Sequence, residues 1–181
     1  MIASAMEKAA VLVEALPYIK DFYGKKVVIK YGGAAMTDPD LQQKVMQDIV
    51  LMHYVGMHPI VVHGGGPEIN RLLDRLNISS HFVDGLRVTD KATMEVVEMV
   101  LGGKVNKEIV AGLNANGGLA VGLSGKDGNL IEAGPVDYSG KMGFVGEVRR
   151  INSQIIETVI ENGYIPVIAP IGIDEQQQTY N

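Results

Sequence analysis

The chain contains no cysteine and no tryptophan. The first absence removes disulfides, thiolate metal sites and a cysteine nucleophile together. Basic residues are also short, 16 against 21 acidic ones in 181, for a net charge of −5. Such a balance argues against a nucleic-acid binder held through phosphate contacts. No run reaches the roughly 18 apolar residues that span a bilayer; the richest, residues 49–62, is broken by His53 and His58. Residues 1–16 carry Glu7, Lys8 and Glu14 and so lack the apolar core of a signal peptide. These absences predict a soluble, cytoplasmic protein without nucleic-acid or membrane partners. The length suits one large domain or two small ones and can bury a sizeable core. Glycine, by contrast, is abundant at 22 residues, and it is clustered.

Short apolar runs alternate with helical periodicity. Val27–Ile29, Pro59–Val62, Leu119–Leu123 and Tyr164–Ile171 read as buried strands. Asp38-Pro39 starts a helix through Leu41, Val45, Ile49 and Met52, and Pro67 opens another through Ile69, Leu72, Leu73 and Leu76. Thr89-Asp90 caps a helix through Met94, Val97 and Val100, and Lys104–Leu113 reads as the next. Asn152 caps the last, with Ile155, Ile156 and Val159 on one face. Asp127-Gly128-Asn129 and Ser139-Gly140 read as hairpin-type turns. The alternation predicts an α/β fold: a three-layer α/β/α sandwich with a mainly parallel open sheet. Residues 1–24 stand apart from 25–181. Met6, Ala10 and Val13 form a stripe, and Pro17 should kink or stop the helix. That stripe either packs on its own domain or docks on another subunit.

Two glycine clusters each follow a strand and precede a helix: Lys30-Tyr31-Gly32-Gly33, and His63-Gly64-Gly65-Gly66. Ligands of open α/β sheets bind beyond the carboxyl ends of the strands. There glycine lets backbone N–H groups approach an anion, and the helix start adds partial positive charge. Two clusters, one with an adjoining lysine, point to a phosphate or carboxylate site. No Gly-Lys pair is followed by Ser or Thr, so no Walker A loop is present, and position 69 is Ile where a dinucleotide fingerprint needs glycine. His63-Gly64-Gly65-Gly66 is similar to an esterase oxyanion loop, but Gly122-Leu123-Ser124-Gly125 lacks the nucleophile-elbow spacing. The four histidines are scattered, and no metal site is predicted. His63 reads as a packed or turn-stabilising residue. Lys30, ending a buried strand, needs an anionic partner: Asp48 or a bound phosphate. Arg87, in a polar turn between helices, could offer its planar fork to a carboxylate.

Taken together, Val28–Gly33, Val61–Pro67, Gly85–Thr89 and Asn106-Lys107 resemble the amino-acid kinase superfamily and, within it, the N-acetyl-L-glutamate kinases of arginine biosynthesis. The resemblance implies transfer of the γ-phosphoryl group of ATP, with Mg2+, to the side-chain carboxylate of acetylglutamate. By the same resemblance Lys30 is the catalytic transition-state stabiliser, and Gly32, Gly33 and Gly65 bind phosphate. Gly65, Gly66, Arg87 and Asn181 bind the substrate, and Tyr18 is a candidate for an arginine effector site. Ala15-Leu16-Pro17-Tyr18 is similar to the kinked N-terminal helix of arginine-inhibited, hexameric members. The implied partners are acetylglutamate, ATP, arginine and further copies of the chain as a dimer or hexamer; in some organisms a PII-type signal protein also binds. After Tyr180-Asn181 the family continues with an Asp, a second lysine and a nucleotide-binding half. The 181 residues are therefore expected to be the substrate-binding lobe, with the ATP-binding lobe absent and no turnover alone. The competing readings are an acetylaminoadipate kinase and a non-catalytic module that binds an anionic metabolite and oligomerises.

Overall fold

In the computed structural model, residues 4–137 and 139–181 are described. The first three residues of the N-terminal segment fall outside that set. Helix α1 (Ala5–Phe22) starts at Ser4, whose side chain and that of Glu7 form a reciprocal capping box. It runs through Pro17 instead of stopping there, and no residue in it is buried. The stripe expected along it is bare: Met6 is 84% and Val13 70% exposed. A turn at Gly24 (φ +71°) ties the helix end to the body through Gly24 N–H and the Gly56 carbonyl.

The remainder is built on a four-stranded parallel sheet. Strands β1 (Lys26–Tyr31), β2 (His58–His63) and β5 (Ala120–Ser124) belong to it, as does β8 (Ile165–Ala169), in the order β1-β2-β8-β5. Helix α2 (Pro39–Tyr54) is capped by Asp38, which accepts from two first-turn amides. Helix α3 (Gly66–Arg75) leaves directly from the glycine loop after β2. Helices α4 (Lys91–Glu98) and α5 (Asn106–Ala115) are joined without a break by a π-helical turn, Met99–Val105. These four helices bury one face of the sheet in a core that includes Ile49, Val61, Leu73, Val97, Leu113 and Val167. The other face is covered by α6 (Gln154–Glu161), through Ile155, Ile156 and Ile160 against Ile60 and Ile168.

The three expected layers are therefore present but uneven. β1 is an edge strand, tied to α6 through the Lys26–Glu157 ion pair, and Val28, expected buried, is 67% exposed. Asp127–Asn129 is a short 3-10 turn between two sheets and not a hairpin turn. Asn152 lies one residue ahead of the helix cap, Ser153. A second sheet was not anticipated. It is ordered β10-β9-β6-β7, from β6 (Ile131–Pro135), β7 (Gly146–Ile151), β9 (Gly172–Ile173) and β10 (Thr179–Tyr180). Ser139-Gly140 does lie in the loop of its antiparallel β6–β7 pair. A small hairpin, β3 (His81–Val83) and β4 (Leu86–Val88), stands between α3 and α4.

Candidate functional site

Parallel register sets the site. Tyr31 pairs with His63, so β1 and β2 release their glycine loops side by side, and the Gly64 N–H donates to the Tyr31 carbonyl at 3.0 Å. Gly33 takes a left-handed φ of +64°, which a glycine adopts without strain. Gly65 is the cap residue of α3, so the first α3 amides face outward at the positive end of the helix. The π-helical turn packs Leu101 and Val105 directly beneath Gly65. A wide turn of this kind shifts side chains relative to an α-helix and recurs at functional sites.

A cleft of about 280 Å³ opens above this junction, lined by Gly64, Gly65, Gly66, Phe82, Arg87 and Asn181 among others. It therefore brings together Gly65, Gly66, Arg87 and Asn181, residues distant in sequence. Lys30, Gly32 and Gly33 stand at the neighbouring loop and do not line it. Tyr18 is on α1, 67% exposed, and outside it.

Arg87 is not in a turn but in the middle of β4, paired with Phe82 across the hairpin. It is only 8% exposed. Its two terminal nitrogens donate to Ser80 Oγ and Asn70 Oδ1, and its plane lies 4.6 Å over the Phe82 ring. Both acceptors are neutral, and among the described residues no carboxylate pairs with it. Burial pulls its pKa down, yet a guanidinium keeps its charge. A buried cation with only neutral partners carries an uncompensated desolvation cost, which an anionic ligand removes. Of the five guanidinium donors, two are engaged by protein, leaving the rest for that ligand.

Lys30 is the opposite case. It projects from the exposed face of β1, with no hydrogen bond or ion pair among the described residues; Asp48 is not its partner. Asn181 donates through its side chain to Thr89 Oγ1 at 3.4 Å, and its backbone is tied to Phe144 and Gly146. Reasoning from sequence passed over Asn70, Ser80 and Phe82. The clue available was the alternation around Phe82 and Arg87, too short to stand out in three-residue strands. His63, read as a packed residue, is 1% exposed. Among the described residues no group of three or more His, Asp or Glu side chains could hold a metal. No helix there is long and apolar enough to cross a membrane.

Comparison with known proteins gives the chain its family. The chain is 78% identical over 181 residues to the acetylglutamate kinase of Syntrophomonas wolfei, covering all of this chain and 63% of that relative. It is 58% identical over 187 residues to the acetylglutamate kinase of Heliobacterium modesticaldum, covering 98% and 63%. It thus spans about three fifths of the length of these curated relatives. Among solved structures, smu.665 from Streptococcus mutans is 31% identical with a TM-score of 0.72, over 86% of this chain and 62% of that one. The N-acetylglutamate synthase of Neisseria gonorrhoeae, complexed with coenzyme A and N-acetyl-glutamate, shares the fold, with a TM-score of 0.80 at 24% identity over 96% of this chain and 40% of that one. Residues 25–181 match the amino acid kinase family, and the chain belongs to it.

Proposed function

We propose that residues 25–181 form the N-acetyl-L-glutamate-binding lobe of an acetylglutamate kinase. The observation that carries this reading is Arg87: a buried guanidinium without an anionic partner among the described residues, facing a glycine loop at a helix start across one small cleft. The substrate is a dicarboxylate, and the cleft offers two separate anion donors. In this reading the Arg87 fork grips the α-carboxylate, with Gly66 and Asn181 completing the pocket. The side-chain carboxylate then lies toward the Gly65 amide. A carboxylate oxygen attacks the γ-phosphorus of ATP, the bond to the bridging oxygen breaks, and an acyl phosphate and ADP result. Charge on the transferring group is met by Lys30 and the amides of Gly32, Gly33 and Gly65. Mg2+ arrives on the nucleotide.

The nucleotide itself is assigned to a second lobe. Residues 25–181 should therefore bind acetylglutamate without ATP. The bare helix α1 is read as an arm docking on another copy, which accounts for its eight exposed large apolar residues if Tyr23 is included. Tyr18 and arginine inhibition, the hexamer, a PII-type partner and a cytoplasmic location belong to this proposal as well. The decisive assay traps the acyl phosphate with hydroxylamine in the two-lobed enzyme. Lys30→Ala should lower kcat by about 100-fold or more, the scale of one lost oxyanion donor, with KM for acetylglutamate little changed. Absence of acetylglutamate-dependent hydroxamate in the unmutated enzyme would overturn the proposal.

A further inference from the structure

Behind the glycine loop lies a buried polar chain that substrate binding as proposed does not use. His63 and Asn106 are each 1% exposed. The Asn106 side-chain nitrogen lies 2.9 Å from the Val167 carbonyl, 3.2 Å from the Leu123 carbonyl and 3.2 Å from His63 Nε2. Its oxygen accepts from Lys107 Nζ at 3.0 Å, and the same ammonium donates to the Gly122 carbonyl at 3.2 Å. This pattern settles the amide orientation, since two carbonyls accept only from an NH2 group. It settles the imidazole as well. The NH2 group has two hydrogens to share among three acceptors and accepts nothing itself, so an Nε2–H would face it unpaired, and the ring proton sits on Nδ1. Nδ1 is 2.8 Å from the Gly64 carbonyl and donates to it.

That last bond reaches the site. The Gly64–Gly65 peptide is trans, so its C=O and N–H point in opposite directions within one plane. With the Gly64 carbonyl drawn inward to His63, the Gly65 N–H is turned away from the ring, toward the cleft side. Among the described residues it has no acceptor. Gly122 completes the device, because a Cβ built there would collide with the Asn106 amide.

We propose that His63, held as its Nδ1–H tautomer by Asn106, is a positioning residue that aims the Gly65 amide at the substrate anion. The role rests on the proposed reading of the cleft as an acetylglutamate site. Its test joins two measurements on the chain. Long-range 1H–15N NMR should find the His63 proton on Nδ1 and Nε2 bare. Calorimetry with N-acetyl-L-glutamate should find His63→Asn close to the unmutated chain, because its amide nitrogen can take the place of Nδ1. His63→Leu should bind about tenfold or more weakly, the scale of one hydrogen bond to a charged group. An Nε2–H ring, or equal affinity of the Leu and Asn variants, would overturn the positioning role while leaving the site intact. Failure of the unmutated chain to bind acetylglutamate would overturn the reading of the site, and the positioning role with it. The tautomer is read on the unmutated protein, so an unfolded Leu variant does not remove the test.

Discussion

Two cations of this molecule, Arg87 in the middle of β4 and Lys30 near the carboxyl end of β1, stand in contrasting surroundings. Arg87 is buried, stacked on Phe82 and held on two sides by neutral oxygens. Lys30 is exposed and unpaired among the described residues. The first has lost its hydration and its freedom before any ligand arrives, which is what preorganised recognition of a fixed carboxylate requires. The second keeps both, as suits a charge that acts on a group present only during transfer. In the proposed function, burial thus divides binding from chemistry between the two residues.

The largest expected effect on binding lies on the buried side. Arg87→Ala should weaken acetylglutamate binding by about 30- to 100-fold, the value of a lost bidentate charged contact. Arg87→Lys should rescue little, because an ammonium offers neither the fork nor the stacking. Calorimetry checks both, and affinity unchanged in either variant would dissolve the contrast.

Next comes pH. Burial holds the His63 imidazole below its ordinary value, with the Gly64 carbonyl acting against it; Lys107 is the one charged group on its network among the described residues. The unfolded ring takes up its proton near pH 6.5, the folded ring only at lower pH. In that window the unfolded state binds more protons. Stability should therefore be fully present above pH 6.5 and fall as pH drops, by at most about 1.4 kcal/mol per unit, levelling off below the folded pKa. His53, also lowered by burial and by His58, adds a slope of the same sign. Thermal melts of His63→Asn across pH 7 to 5 should show a shallower decline than the unmutated chain; equal slopes would exclude His63 as a source.

Smaller still, Asn70→Ala and Ser80→Ala should each weaken acetylglutamate binding by about three- to tenfold, on the scale of one ordinary net hydrogen bond, because each loosens Arg87 without removing it. Smallest of all, Lys30→Ala should change stability by less than about 0.5 kcal/mol, as for a surface substitution without partners. A marked loss of stability would show that Lys30 is engaged after all.

How much of this was legible beforehand depends on what holds each element. The β2–glycine–α3 junction could be read because Pro59–Val62 is a continuous apolar run and Pro67 fits a first helical turn. The strands flanking Arg87 could not, since His81–Val83 and Leu86–Val88 are too short to show a period. β7, with Glu147, Arg149 and Arg150 on an exposed edge, has no hydrophobic face to betray it. Its pairing is set by backbone and by β6, which is tertiary context. The π-helical turn joins into one continuous helix the two that the sequence divides between Val100 and Lys104. Lys30 was assigned the right location and the wrong surroundings, because β1 looks buried by composition while its edge position leaves Val28 and Lys30 open. The hydrogen bonds that lock His63 come from four segments and are written in no local pattern.

The most direct test of the account is a calorimetric comparison of N-acetyl-L-glutamate binding by the unmutated chain, Arg87→Ala and Lys30→Ala. One site per chain is expected, with affinity reduced at least tenfold by Arg87→Ala and changed less than about twofold by Lys30→Ala. No binding by the unmutated chain, or equal losses in the two variants, would contradict it.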